Sequence, residues 1–165
     1  MKHNTSSLNL QIITFIISDT LYGFDIRLIK EVTPPVPLTT VPLKTPEIRG
    51  VTAIRGCIVL VMDIRVIIDG EKMPFTGNKQ IIIIRNAEEI KALIGSAIKP
   101  SDRLVEEKPV GFLVDAVEDI LTVNVSDIEE TPSHLDDHTK LFVDGIIRKK
   151  RPIILLNPFE LAGFQ

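Results

Sequence analysis

A chain of 165 residues with 44% hydrophobic residues, 25% charged residues and a formal net charge of -3 is long enough to bury a substantial apolar interior, as one compact domain or as two small ones sharing a core. The acidic balance gives no electrostatic reason for nucleic-acid binding, and 5% aromatics without Trp leave few stacking platforms for single strands or sugars. No apolar stretch reaches the roughly 18 to 20 residues that cross a bilayer, MKHNTSSLNLQ holds no signal-peptide core, and the one cysteine, Cys57, has no disulfide partner within the chain; a cytoplasmic protein without direct membrane insertion is expected.

Residues 1–7 read as a loose polar tail, with order expected from about Ile12. IITFII (12–17), a polar SDT and LYGFDI (21–26) read as a strand, short turn and second strand, since β-branched and aromatic residues flank a polar break. Ile26, Ile29 and Val32 recur at helical spacing and predict one or two helical turns, ending at Pro34. TPPVPLTTVPLKTP (33–46) holds five prolines, so it is expected to run as an extended surface strap.

VTAIRGCIVLVMDIRVII (51–68) is apolar almost throughout and suits a strand buried on both faces. It is interrupted at Arg55-Gly56 and at Asp63-Ile64-Arg65, charges that are costly unless paired or at the surface. A turn at Asp69-Gly70 and a polar loop lead to IIIIR (81–85), a second β-type run. NAEEIKALIGSAIK fits a helix capped by Asn86, with Ile90, Leu93, Ile94, Ala97 and Ile98 on one stripe; it also alternates at strand spacing. VGFLVDAVEDILTV (110–123) reads as a strand with an acidic bend. Near the end, a strand pair turning at RKKR (148–151) precedes a short helix with Asn157 as cap, Pro158 at its first position and Gly163 at its close. Seven or more short strands with two or three short helices read as an all-β sandwich or barrel.

Candidate chemistry is sparse. In HLDDH, His134 and His138 are four apart and could share a metal with Asp136 or Asp137, the basis for a small metal-dependent hydrolase; a solvated polar loop is the simpler reading. Cys57 heads the most apolar run, which predicts a buried, inert thiol rather than a nucleophile. Asp69-Gly70 and Asp144-Gly145 look like turns, and Asp115 and Asp119 sit where a strand leaves the core, so no catalytic carboxylate pair emerges. No glycine pattern forms a phosphate cradle, and no cofactor is expected. RKKR reads as a hydrated hairpin tip.

The succession TFIISDTLYGFDI, IKEV, the proline-rich strap, IRGVTAIRG, IVLVMDIR, IIII, VGFLVDAVEDIL and DGIIRKKRPIILLN resembles the chemotaxis coupling proteins, the CheW-like family, over nearly the whole chain. The resemblance implies an all-β fold of two intertwined, SH3-like, five-stranded β-barrels sharing a core, over 8–165, with one subdomain at roughly 20–70 and another at roughly 79–148 joined by the N-terminal strand. It implies no catalytic site, and partners that are the regulatory domain of a CheA-type histidine autokinase and the cytoplasmic signalling tips of chemoreceptors. The same module could serve a pilus-motility or other non-chemotactic pathway. By residue-wise match, Glu31, Ile54, Arg55 and Gly56 fall in the partner-docking region, where Arg55 is expected to pair with Glu31. Asp63 and Arg65 match a motif expected to hold the strand end. Ala53 replaces the family's asparagine, residues 86–109 form an insert, and RKKRP and LLNP depart from the family's last turn and strand.

Overall fold

The computed structural model describes residues 8–42, 45–72, 74, 78–94 and 109–163. Strand β1 (Asn9–Ile17) turns back into β2 (Thr20–Asp25), and a single 3-10 turn at Ile26–Leu28 leads into β3 (Ile29–Thr33). The strap then reaches the hairpin of β4 (Ile48–Ile54) and β5 (Cys57–Asp63), followed by helix α1 (Ile64–Asp69). β6 (Gln80–Ile84), α2 (Ala87–Ile94), β7 (Val110–Val114), β8 (Ala116–Asn124) and β9 (Ile128–Glu129) come next. α3 (Asp137–Lys140), β10 (Val143–Ile147), β11 (Ile153–Leu156) and α4 (Pro158–Ala162) complete the chain.

The strands form a six-stranded sheet, β8-β1-β2-β11-β10-β9, and a five-stranded sheet, β3-β6-β7-β5-β4. Neighbours are antiparallel except β11 with β2 and β5 with β7. Two small β units around a common core are therefore present, although neither sheet is closed by a ladder between its end strands among the described residues. Each sheet takes strands from both sides of residues 70–79. The chain leaves the first sheet after Asp25 and returns through Asp115, the single residue between β7 and β8.

The larger core joins the sheets: Phe24 of β2 packs 4.7 Å from Phe15 of β1 and 5.8 Å from Phe112 of β7, centroid to centroid. A second cluster, including Ile12, Leu21, Val123, Ile147 and Ile153, fills the other face of the first sheet, so that sheet is buried on both sides. A bulge between Ile13 and Phe15 interrupts the β1–β8 register. The Thr14 hydroxyl repairs it, accepting from Asp119 N and donating to Asp119 O, which keeps these buried polar groups paired.

Several expectations are corrected. The first strand starts at Asn9 rather than Ile12, because Asn9 and Leu10 already pair with β8. Residues 29–33 are a strand, not a helix: Asp25 caps only the one 3-10 turn, and the ladder with β6 overrides the weak helical periodicity. Residues 110–123 are two strands in different sheets, parted at Asp115. Asp144-Gly145 lies within β10, at a bulge opposite β11, rather than in a turn. The strap meets the outer edge of β4 at one bridge, Thr39 to Val51. In the 86–109 insert, Asn86 Oδ1 accepts from Glu89 N and opens α2, whose Ile90 is buried; Ala97 and Ile98 lie outside the described residues.

Candidate docking site

The apolar run 51–68 is three elements rather than one strand. Ile54 pairs with Cys57 at the end of the β4–β5 ladder, leaving Arg55 and Gly56 as a two-residue loop with φ of 51° and 79°. Positive φ at both positions defines a type I′ turn, whose twist matches that of the flanking strands. Gly56 adopts this backbone freely, whereas an arginine there costs roughly 1–2 kcal/mol.

Arg55 Nε lies 3.3 Å from Glu31 Oε2, with the Arg55 side chain 81% exposed and that of Glu31 23%. Glu31 stands on β3, at the opposite margin of the sheet order from β4. The ion pair therefore links the β4–β5 turn to β3, although β3 and β4 share no ladder. An exposed pair of this kind contributes about 0–1 kcal/mol, no more than the backbone strain removes. Net stabilisation does not account for an arginine at this turn; strain of this kind is characteristic of functional positions.

The hairpin's outward face is apolar. Ala53 pairs with Ile58, and Val51 with Leu60; Ala53, Cys57 and Ile58 are exposed, Ile58 to 65%. The alternate residues Val59 and Val61 point into the core. Cys57 is thus an exposed thiol, contrary to the expectation of burial, because it sits at the turn where the sheet runs out into solvent. Ile58 escaped the sequence reading: in CIVLVMD every position before Asp63 is apolar, so the alternation that marks an exposed face is absent. Ile54 is half-buried and packs against the larger core, which anchors the turn. Exposed Ala53 adds to the apolar ledge beside Arg55.

Asp63 and Arg65 lie at the other end of β5. Asp63 is fully buried; Oδ1 accepts from Arg65 N at 3.0 Å and Val66 N at 3.3 Å, capping α1, while Oδ2 lies 2.6 Å from Arg49 Nη1. Arg65 Nη2 reaches Glu71 Oε2 at 2.5 Å. These contacts turn the chain from strand to helix and lock β4 to β5. Gly70, φ 75°, closes α1 by donating its N–H to Val66 O.

The HLDDH segment is used differently. Asp136 caps α3, accepting from Thr139 N at 2.8 Å and Thr139 Oγ1 at 2.7 Å, and the Thr139 backbone N–H holds its carboxyl below the usual range. Asp137 pairs with Lys140, and His138 Nε2 lies 2.6 Å from Ile67 O. His134 is exposed, and among the described residues no group of three His, Cys, Asp or Glu side chains could hold a metal. At the RKKR turn, Arg148 pairs with Glu129, and Arg151 with Glu118 at 3.6 Å. Arg85 Nε, buried without a hydrogen-bond partner among the described residues, is a feature the sequence reading did not single out.

A family model described as CheW-like domain matches residues 11–164. The chain is 27% identical over 155 residues to a chemotaxis protein CheW of Rhizobium meliloti, covering 94% of this chain and 87% of the relative. It is 28% identical to a probable chemotaxis protein CheW of Rhizobium etli, covering 97% and 93%. It is 25% identical to that of Bacillus subtilis, covering 87% and 80%. The crystal structure of scaffolding protein TtCheW from Thermoanaerobacter tengcongensis superposes with a TM-score of 0.73 over 96% of this chain and 95% of that one, at 24% identity.

Proposed function

Since the chain belongs to the CheW-like domain family, we propose that it is a non-catalytic scaffold of chemotaxis signalling that couples chemoreceptors to a CheA-type histidine autokinase. The relatives it matches over most of both chains are chemotaxis proteins, and the fold is that of a scaffolding protein. No helix among the described residues is long and apolar enough to cross a membrane, and the adaptor works in the cytoplasm against the receptors' signalling tips.

The observation that carries the docking assignment is the exposed β4–β5 tip: a strained Arg55 paired with Glu31, beside an apolar ledge of Ala53 and Ile58. Apolar side chains supply contact area on docking, and the charged rim selects the partner and its register. Binding through the tip is expected to be modest, and the avidity of a receptor array strengthens it. Asp63 and Arg65 serve the site by holding the far end of β5. The test is a pull-down with two baits, a receptor cytoplasmic signalling domain and the regulatory domain of the kinase. Each should retain the wild-type chain, and Arg55→Ala should weaken retention by at least one of them. Failure of both baits to retain the wild type would remove the adaptor reading.

A further inference from the structure

Apolar packing holds the two sheets together in a shared core, and burial of apolar area is in itself not directional. Directional contacts gather at the crossover. Asp115 N donates to Ile16 O at 3.0 Å, and its Oδ2 accepts from Ser18 N at 2.8 Å. Its Oδ1 accepts from Lys79 Nζ, at the entry to β6. Next to it, Gln80 Oε1 of β6 accepts from Val117 N of β8 at 2.8 Å. One carboxylate thus ties the β1–β2 turn of the first sheet to the second sheet at the point where the chain passes between them. Ser18 and Asp19 carry φ of 47° and 68° without being glycine, and the turn is gripped a second time by Arg151 Nη2, which donates to Asp19 O at 3.0 Å. A strained turn held from two sides is a stiff abutment.

We propose that Asp115 is a positioning residue: its carboxylate, clamped between Ser18 and Lys79, sets the angle between the two sheets. Burial raises the Asp115 pKa, but the Lys79 ammonium and the Ser18 N–H together outweigh it and hold the carboxyl below its ordinary value, so the clamp is ionised at neutral pH. The Arg65 guanidinium, at the start of α1, adds to this lowering. The consequence for docking, which rests on the scaffold reading, is that the β4–β5 tip keeps one fixed relation to the first sheet, so that a partner seated on the tip and a second partner meeting the first sheet are held in one geometry. Loosening the clamp leaves each face intact and degrades simultaneous occupation.

The experiment measures the angle without any partner. Spin labels are placed on the exposed native Cys57 at the β4–β5 tip and on Lys149→Cys at the β10–β11 turn, and the distance distribution is recorded by pulsed electron resonance. The otherwise unchanged chain gives one narrow distribution; Asp115→Asn, with an unaltered circular-dichroism spectrum, broadens it about twofold or splits it, as a loosened joint between packed units does. If Asp115→Asn does not fold, Lys79→Met, which removes one arm of the clamp, is read in its place. A folded variant with an unchanged distribution overturns the proposal. In parallel, both variants keep single-partner binding and lose simultaneous binding. A wild type that binds neither partner counts against the scaffold reading and leaves the distance result to decide the clamp.

Discussion

Arg55, in the β4–β5 turn, and Glu31, on β3 at the far end of the sheet order from β4, meet 3.3 Å apart although β3 and β4 share no strand ladder. Arg55→Ala should change unfolding free energy by less than about 1 kcal/mol, since an exposed ion pair contributes little, while weakening partner binding. Arg55→Gly separates the roles further. Glycine accepts φ of 51° without strain, so this variant should match or exceed wild-type stability by up to about 1 kcal/mol and still bind poorly. Urea unfolding and titration calorimetry on the same preparations decide it; parallel losses of stability and binding would refute a docking role.

Ile58 and Val59 are adjacent but face opposite ways, 65% and 2% exposed. Ile58→Asp should leave the melting temperature within a few degrees of wild type, because a surface change costs about 0.5 kcal/mol or less, and should cut binding roughly fivefold or more if the ledge lies within an interface core. Val59→Asp buries an unpaired carboxylate and should prevent folding. Binding by Ile58→Asp at wild-type strength would place the interface elsewhere.

Asp63 holds together three things: the Arg49 guanidinium, the first turn of α1 and, through its own N–H, Glu47 O. Asp63→Ala removes the carboxylate that faces the largely buried Arg49 guanidinium, and removing one partner of a buried pair costs about 3–5 kcal/mol, with the lost helix cap adding about 1 kcal/mol. Asp63→Asn keeps an accepting oxygen for the cap and should fall between. Chemical denaturation checks the order wild type, Asn, Ala.

The Asp115 clamp carries a pH signature. A carboxyl whose folded pKa lies below its unfolded value, near 4, stabilises the fold fully above that value and loses the contribution as pH falls through the depressed one. Urea midpoints should therefore decline below about pH 4 in the wild type and less steeply in Asp115→Asn. Asp136, lowered by the Thr139 N–H, supplies a slope common to both proteins. Identical profiles would mean that the clamp does not stabilise the fold.

Much of this was legible in residue order. Asn157, Pro158 and Gly163 marked both ends of α4 correctly, because capping is a local interaction. Asn86 announced α2 for the same reason. The β1–β2 turn at SDT and the β10–β11 turn at RKKR were readable from polar breaks between β-branched runs. Ile29 and Val32 were misread because their state is set by β6, far away in the chain; Asp144-Gly145 was misread because an Asp-Gly pair signals a turn, whereas here it falls at a bulge inside the β10–β11 hairpin. Cys57 and Ile58 were misread because an uninterrupted apolar run carries no record of which face meets water. That Arg55 would face Glu31 came only from likeness to a family, since no local rule joins positions 31 and 55 through a folded sheet.

The most direct measurement is reconstituted kinase control: receptor signalling domains, the histidine autokinase and this chain together, with autophosphorylation followed as receptor ligand is added. Phosphorylation that responds to ligand only when the wild-type chain is present, and fails to respond with folded Arg55→Gly, is the predicted result. Ligand control that is the same without the chain, or undiminished with Arg55→Gly, would contradict coupling through the β4–β5 tip.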